Sequence, residues 1–388
     1  MTRRAVWTIG AGQCVGWGVL YYAFGVLVVP VERDLGVARW IVTGAFSAAL
    51  LVSAAAAPTI GKLTDRGRGP AVMRAGGLVA AGLLVAWAAR PTVWFSYVAW
   101  SGLGLCMAAV LYEPVFAIVG RAIDDAGNRL RAIATITVFG GLASTIFLPV
   151  TAWLVEGVGW QRAVYVLAAI LALVSVAVHQ SVFADPMFGA RNATPSTGPV
   201  ASAHDTRLAG LIATFACSSF AGSALATNLV PALMERRLSP TTAAMFAGLF
   251  GVMQLPGRLL IMNGRFQLGP SQMIWSSLGL QVAGLSILVA GASPVSVAAG
   301  VTLFACGSGL ATLARPYLVL VLYGADRAGR LNGVIARWQQ LARAGGPVAA
   351  AALAASIGYG VVFGLLSGLL ITVGLLVRSQ PSAGITNA

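Results

Sequence analysis

Charged residues are scarce in this sequence. Asp, Glu, Lys and Arg together make up only 9% of the 388 residues, and just 11 residues are acidic. A soluble globular protein carries about 25% charged residues, so this chain has too few charges to solvate a folded surface of its size. The scarcity excludes an ordinary soluble domain and indicates a surface that faces lipid.

Histidine is almost absent as well. The two histidines, His179 and His204, both lie near a polar segment in the middle of the chain. The sequence also has no phosphate-binding loop and no nucleophile–base pair at a useful spacing. We therefore expect no enzymatic activity, no cofactor and no resident metal.

Apolar residues and glycine are what the chain has in excess. Apolar residues make up 58% of the sequence, with 47 glycines, which let membrane helices approach closely. Twelve mainly apolar stretches are long enough to span a bilayer as helices. They lie near residues 6–30, 40–60, 71–89, 93–120, 131–155, 161–180, 208–232, 241–262, 272–291, 295–323, 332–355 and 358–377. The prediction is an all-α membrane protein with twelve transmembrane helices.

A polar segment divides the twelve stretches into six and six. Residues 181–206 are rich in Pro, Ser, Thr and Ala and show no apolar period. We predict three parts: a six-helix bundle at 1–180, a cytoplasmic linker at 181–206 and a second six-helix bundle at 207–388.

The net charge of +14 reflects orientation rather than nucleic-acid binding. The basic residues cluster in every second loop between the apolar stretches, that is, on one side of the membrane, as at Arg3, Lys62 and Arg131. Cytoplasmic loops of membrane proteins carry such an excess. We expect a multi-pass protein of the cell (inner) membrane with both termini in the cytoplasm, and the first stretch is interpreted as a membrane helix rather than a cleaved signal.

The two halves repeat each other. Glu32–Leu35 returns as Glu235–Leu238, 203 residues later, and Cys14 and Cys217 share this offset. Glu113-Pro114 matches Arg315-Pro316 at an offset of 202, and the turn ending at Trp160 matches the one ending at Tyr359. A near-constant offset indicates two copies of one six-helix unit.

The turn between the second and third stretches carries a recognisable motif. It reads GKLTDRGRG from Gly61 to Gly69, which resembles the G-x-L-x-D-R-x-G-R signature of the major facilitator superfamily. The resemblance implies two pseudo-symmetric six-helix bundles and secondary transport by alternating access. It also implies a conformational clasp in which Asp65 caps a helix N-terminus or pairs with an arginine; its members are Gly61, Asp65, Arg66, Gly67 and Arg68. The matching second loop keeps Gly264 but has no acid.

Within this family, the first stretch resembles the monocarboxylate and oxalate/formate carriers through its YYAFGV segment. The eighth stretch adds Arg258, which matches the carboxylate-binding arginine of the eukaryotic monocarboxylate carriers. Gln254 stands where those carriers have an acid, one helical turn earlier. The resemblance implies that Arg258 contacts the carboxylate of the solute. It also implies that the acid available for proton binding in those carriers is missing here, because Gln254 stands in its place.

Ionised side chains inside a bilayer each need a reason, because burial there costs about 2.5–3.5 kcal/mol on insertion scales. The ionisable residues predicted to lie inside the spans are Glu113, Arg258, Arg315 and Arg343, and Arg337 is a borderline case near the end of its span. Three interpretations of Glu113 with Arg315 stay open: an inner gate, a proton carrier at Glu113, or a static ion pair. The excess of arginine over acid favours an anionic solute.

Polar and aromatic side chains at helical spacing complete the predicted solute site. Its members are Arg258, Gln254, Arg343, Gln339, Gln13, Trp17, Tyr21, Tyr112 and Asn228. The predicted function is transport of a small organic anion, a monocarboxylate or related acid, by a monomer, with proton coupling left open.

Two alternatives remain. One is proton-driven efflux of drugs or metabolites, although the fifth stretch lacks the glycine that precedes the proline in the drug-antiporter signature. The other is a soft-metal carrier, because in this fold the helices that line the cavity would hold Cys14, Cys106, Cys217 and Cys306.

Overall fold

A computed structural model of the chain describes residues 1–37, 39–183, 206–238, 240–263, 268–291 and 293–378. All regular structure in these ranges is helical. Contacts divide the chain into two compact units, Met1–Ser196 with Tyr323–Arg337, and Thr197–Leu322 with Trp338–Ala388. Most of the predicted linker 181–206, and Gly264 of the second loop, lie outside the described residues.

The described residues of the first unit form nine α-helices and three short π-helical turns, besides the beginning of a helix that it shares with the second unit. The π-helical turns are Gly18–Tyr22, Thr64–Arg68 and His179–Phe183. The helices are α1 (Arg3–Trp17), α2 (Ala23–Leu35), α3 (Arg39–Leu63), α4 (Gly69–Ala89), α5 (Val93–Val110), α6 (Tyr112–Ala122), α7 (Ala126–Gly141), α8 (Ala143–Val158) and α9 (Trp160–Val178). An aromatic core packs α2, α3, α4 and α5 together: Phe24 stacks on Phe46, and the Trp87 and Trp100 rings meet edge to face.

Most of the remaining helices belong to the second unit. They are α10 (Thr206–Glu235), α11 (Pro240–Val252), α12 (Leu255–Met262), α13 (Pro270–Ala290), α14 (Pro294–Tyr323) and α15 (Ala325–Arg378). The beginning of α15, up to Arg337, packs within the first unit, and the helix then continues into the second.

When α-helices that follow one another through a π-helical turn or a short break are counted as one, ten helical stretches in the described ranges are long and apolar enough to cross a bilayer. Two of them, Ile41–Ala89 with 49 residues and Ala325–Val377 with 53, would measure about 73 and 80 Å at 1.5 Å per residue, against about 30 Å of hydrocarbon. Each therefore exceeds one span, and each contains a glycine at positive φ, Gly67 (76°) and Gly358 (76°), a conformation that suits glycine. Division at these glycines gives twelve segments, which agrees with the predicted number.

The internal repeat is visible in the hydrogen bonds at one end of each unit. In the first unit the Asp34 carboxylate accepts from Trp160 Nε1 at 3.3 Å and Gln161 Nε2 at 3.2 Å. In the second unit the Glu235 carboxylate accepts from the backbone N–H of Tyr359 at 3.5 Å. An acid near the end of each unit's first span thus bonds to the start of its last span, although the 203-residue offset matches Glu235 with Glu32 and not with Asp34.

Candidate functional site

Arg258 is the most deeply buried of the arginines predicted to bind the solute. It lies in α12, which begins just after a break in the helical path at Met253 and Gln254, and its side chain is only 4% exposed. Arg258 Nη2 donates to Gln254 Oε1 and to Thr312 Oγ1, both at 3.3 Å, and Nε donates to the Gly309 carbonyl oxygen at 3.5 Å. The predicted contact between Gln254 and Arg258 is therefore formed, and it helps to orient the guanidinium.

Thr312 is a partner that the sequence did not reveal. It lies on α14, 54 residues from Arg258, and no local pattern distinguishes it from the other small polar residues of that helix. Its one useful signal is its position one helical turn before Arg315, another buried arginine.

Arg315 and Gln339 form a second polar group within the second unit. Arg315 is 7% exposed and donates from Nη1 to Gln339 Oε1 at 2.6 Å. Gln339 Nε2 in turn donates to Ser219 Oγ at 3.0 Å. Gln339 precedes Arg343 by one helical turn, but the observed partner of its amide oxygen is Arg315. Arg343 is half-buried farther along α15.

Asn228 is engaged in packing inside the second unit. Its Nδ2 donates to the Ala224 carbonyl oxygen at 2.9 Å and to the Pro347 carbonyl oxygen at 3.3 Å, while its Oδ1 accepts from Tyr359 OH at 3.2 Å. These bonds join α10 to two parts of α15. They give Asn228 a structural role that is sufficient to explain its burial.

Three predicted residues of the first unit come together as an aromatic cluster. The Trp17 ring lies 5.3 Å from that of Tyr21 and 4.9 Å from that of Tyr112. The π-helical turn Gly18–Tyr22 also brings Tyr22 to 5.2 Å from Tyr21. Tyr112 OH donates to the Thr137 carbonyl oxygen at 3.5 Å. A role for this cluster in solute contact stays a prediction.

Gln13 has a different role, which follows from a break in the fourth predicted span. Pro114 has no N–H to donate to the carbonyl of residue 110 and its ring crowds that carbonyl, and the helical path breaks at Leu111, which is extended (φ −76°, ψ −160°). Gln13 Nε2 donates at 2.8 Å to the buried Val110 carbonyl oxygen, which Pro114 cannot reach with an N–H. The Gln13 amide therefore completes the hydrogen bonding of a broken helix.

The same break places Glu113 in the first turn of α6. A carboxylate is stabilised there by the positive end of the helix dipole, and the side chain is half-buried. Glu113 and Arg315 belong to different compact units, so their pairing stays a prediction. Arg337 is exposed, and its Nη2 donates to the Ala55 carbonyl oxygen at 3.5 Å within the first unit.

The residues of the clasp motif form hydrogen bonds inside the first unit. The Asp65 carboxylate accepts from the backbone N–H groups of Gly329 at 2.8 Å and Arg330 at 2.7 Å, near the beginning of α15. Any side chain at Gly61 would collide with the Gly329 carbonyl oxygen, so glycine is required for this approach. Gly67 forms the turn through its positive φ, and Arg66 and Arg68 are exposed.

Arg121 completes the clasp and was not anticipated as a member. It donates to the backbone carbonyl oxygens of Asp65, at 2.7 Å, and Thr64. Asp65 lies in the turn between α3 and α4, outside the spans, where burial raises the pKa of its carboxyl to about 6. The N–H groups of Arg330 and Gly329 and the charge of Arg121 lower this pKa, and Asp326 raises it.

The four cysteines are free thiols. Cys306 Sγ donates to the Met253 carbonyl oxygen at 3.2 Å, beside the break that precedes α12. Within the described ranges, no three His, Cys, Asp or Glu residues are grouped so that they hold a metal ion. The soft-metal alternative therefore gains no support from the structure.

Comparisons with known proteins agree with this architecture. The family model described as Major Facilitator Superfamily matches residues 7–347. The solved structure of the human organic anion transporter MFSD10 (TETRAN) is 18% identical, with a TM-score of 0.71, and the match covers 96% of this chain and 98% of that chain. FucP, a major facilitator transporter in the outward conformation, is 12% identical with a TM-score of 0.72, covering 96% and 97%.

A comparison with curated protein sequences gives no match. At these identities the two solved structures show the fold alone. Together with the helices described above, the family match and the likeness to FucP confirm the predicted fold class.

Proposed function

Because the chain belongs to the Major Facilitator Superfamily, and is therefore a multi-pass membrane transporter of small solutes rather than an enzyme, we propose that its solute is a small organic anion. A monocarboxylate or a related carboxylic acid is the proposed class, moved by alternating access. The distribution of basic loops supports an orientation in the cell membrane with both termini in the cytoplasm, and the proposed transporter acts as a monomer.

The observation that carries this proposal is the environment of Arg258. A guanidinium that is only 4% exposed is costly in a membrane protein unless it serves a function. Hydrogen bonds to Gln254, Thr312 and Gly309 fix its plane without adding a negative charge. A charged guanidinium held in a fixed plane by neutral partners attracts an anion with planar oxygens, so this arrangement suits a carboxylate solute.

Two further observations support the same class. Arg258 follows Gln254 by one helical turn, the spacing at which the chain resembles the monocarboxylate carriers, and the printed description of one structural neighbour is an organic anion transporter. Arg315, also buried in the second unit, adds a second positive charge. An anionic solute is favoured by both charges, whereas a cationic drug is disfavoured.

Uptake into proteoliposomes tests the proposal. Purified protein is reconstituted and offered radiolabelled lactate, pyruvate, formate and oxalate, with empty liposomes as the control. We expect saturable uptake of at least one of these acids, and competition by other carboxylates but not by their amides. Failure of every carboxylate, with uptake of a neutral or cationic solute instead, would contradict the proposal.

Proton coupling is a separate proposal that rests on Glu113, whose half-buried carboxyl lies at the start of α6. We expect Glu113→Gln to abolish the stimulation of uptake by an inward proton gradient while solute exchange without a gradient persists, because glutamine cannot bind and release a proton. The ratio of the two rates is the measurement. If Glu113 belongs to an inner gate instead, the substitution should lower both rates together. If it forms a static ion pair, the substitution should lower the amount of folded protein.

A further inference from the structure

A small cavity inside the first unit has no part in the proposed transport function. It is enclosed by α1, α4, the last residue of α5, α9 and the π-helical turn His179–Phe183, at the end of the unit where α1 and α4 begin and α9 ends. The centres of water molecules can occupy about 30 Å³ of this cavity. That is room for one or two waters and too little for a larger ligand.

The wall of the cavity is mostly apolar, but four polar residues interrupt it. They are Gln13, Arg74, Ser175 and His179. Arg74 is exposed, which places its charge at the mouth, whereas the other three are buried or half-buried. A wholly apolar cavity stays dry, while a cavity with several polar partners holds ordered water. The composition of this wall therefore favours water.

The three less exposed polar residues each offer an acceptor of hydrogen bonds. Gln13 is 1% exposed, and although its Nε2 is bonded to Val110, its Oε1 has no hydrogen-bond partner in the part of the chain that the structure describes. His179 Nδ1 is buried in the same condition. Ser175 Oγ donates to the Leu171 carbonyl oxygen at 2.7 Å, so it can still accept through its lone pairs. The occupant of the cavity must therefore be a donor.

We propose that the cavity binds two water molecules, which donate to Gln13 Oε1, His179 Nδ1 and Ser175 Oγ. Two waters that are hydrogen-bonded to each other have three hydrogens left to donate, one for each of these acceptors. A neutral imidazole accepts at Nδ1 when its proton lies on Nε2. Each water then has two or three polar partners, the number that buried waters have in proteins.

The waters also support the break in the fourth predicted span. The Gln13 amide can bond to the Val110 carbonyl oxygen only through Nε2, so its Oε1 points elsewhere. A buried acceptor in a dry apolar space has lost its hydration without compensation. Bound water restores a hydrogen bond to Oε1, and it thereby stabilises the orientation in which Gln13 completes the broken helix.

Radiolytic labelling tests the proposal and does not depend on the identity of the transported solute. Short X-ray pulses applied to the full chain in detergent convert bound waters into hydroxyl radicals, which hydroxylate the nearest aromatic rings, and a scavenger in the buffer removes radicals from bulk water. Phe183 lines the cavity, and Phe147 lies in the packed core of the same unit; each is 6% exposed. We expect Phe183 to be hydroxylated and Phe147 to stay unlabelled.

Two double variants remove the acceptors in different pairs. Gln13→Leu with His179→Phe should reduce the labelling of Phe183 to the level of Phe147. Because Gln13→Leu also removes the bond to Val110, the second pair is His179→Phe with Ser175→Ala, which keeps Gln13 and should cause the same loss.

Two single variants are the matched controls. His179→Asn keeps an acceptor near the position of Nδ1, and Gln180→Leu changes an exposed neighbour in the same turn. Both should retain the labelling of Phe183.

Several outcomes would overturn the proposal. Equal labelling of Phe183 and Phe147 in the wild-type protein would show that the cavity is dry. Labelling of Phe183 that persists in both double variants would show that these acceptors do not hold the water. A crystal structure that resolves ordered water should show one within about 3 Å of Gln13 Oε1, and a protein group in that place would equally refute the assignment.

Discussion

Replacement of Arg258 by alanine is expected to lower carboxylate uptake by at least about 30-fold. The reason is that a bound carboxylate loses its charged partner in a buried site, an effect of about 2 kcal/mol or more. Arg258→Lys should recover only part of the activity, since an ammonium keeps the charge but loses the planar pair of donors. Initial rates over a range of solute concentrations measure the effect.

Thr312→Val refines this test because it alters the orientation of Arg258 without removing the charge. Loss of the bond from Arg258 Nη2 to Thr312 Oγ1 should raise the KM about fivefold, the effect of about 1 kcal/mol, and leave kcat nearly unchanged. Arg237→Gln is the matched control, because Arg237 is an exposed arginine of the same unit. Equal activity of Arg258→Ala and Arg237→Gln would refute a binding role for Arg258.

The second large effect is expected at the clasp. Asp65→Ala removes the acceptor of two backbone N–H groups at the beginning of α15, and each bond of this kind to a charged group contributes about 1.5–3 kcal/mol. We expect uptake to fall more than tenfold while solute affinity, measured by thermal shift, stays within about twofold. The reason is that α15 continues from the clasp into the second unit, so loss of the contact alters conformational exchange rather than binding.

Two controls make this prediction specific. Asp65→Asn keeps one carbonyl acceptor and should retain intermediate activity. Asp124→Ala removes an exposed carboxylate beyond the end of α6 and should leave uptake unchanged. If Asp65→Ala lowers solute affinity as strongly as uptake, the clasp acts on the binding site and the conformational interpretation is wrong.

The clasp should also respond to pH. Burial raises the pKa of Asp65 to about 6, and the charged groups acting on it are Arg121 and Asp326. The Asp65 carboxyl binds its proton more tightly in the folded protein than in the unfolded chain. The folded state is therefore stabilised as the pH falls through about 6, and this stabilisation is lost as the pH rises. The unfolding temperature of the wild-type protein should therefore increase relative to Asp65→Asn between pH 7.5 and pH 5; parallel curves would contradict the assignment.

Side chains that hydrogen-bond to backbone groups at a break in a helix were the hardest to assign from the sequence. Gln13, Trp17 and Tyr21 were grouped as one face because they recur every four residues, which holds only for an uninterrupted α-helix. The π-helical turn Gly18–Tyr22 adds a residue to that path, and the break at Leu111 calls for a donor that Gln13 provides. Pro114 did signal the break, but the donor that Val110 receives lies 97 residues away.

The sequence alone was sufficient for the features that depend on neighbours along the chain. Apolar stretches of membrane length, a repeat near 203 residues and the GKLTDRGRG turn determine the membrane class, the helical fold and the position of the clasp, because span length, loop charge and turn chemistry are local properties. Only the tertiary structure decided which groups meet. Asp65 bonds to residues 264 and 265 positions away, and Arg315 takes Gln339 as its partner. A buried polar group is satisfied by whichever group packing brings within about 3 Å, and spacing along the chain does not specify that choice.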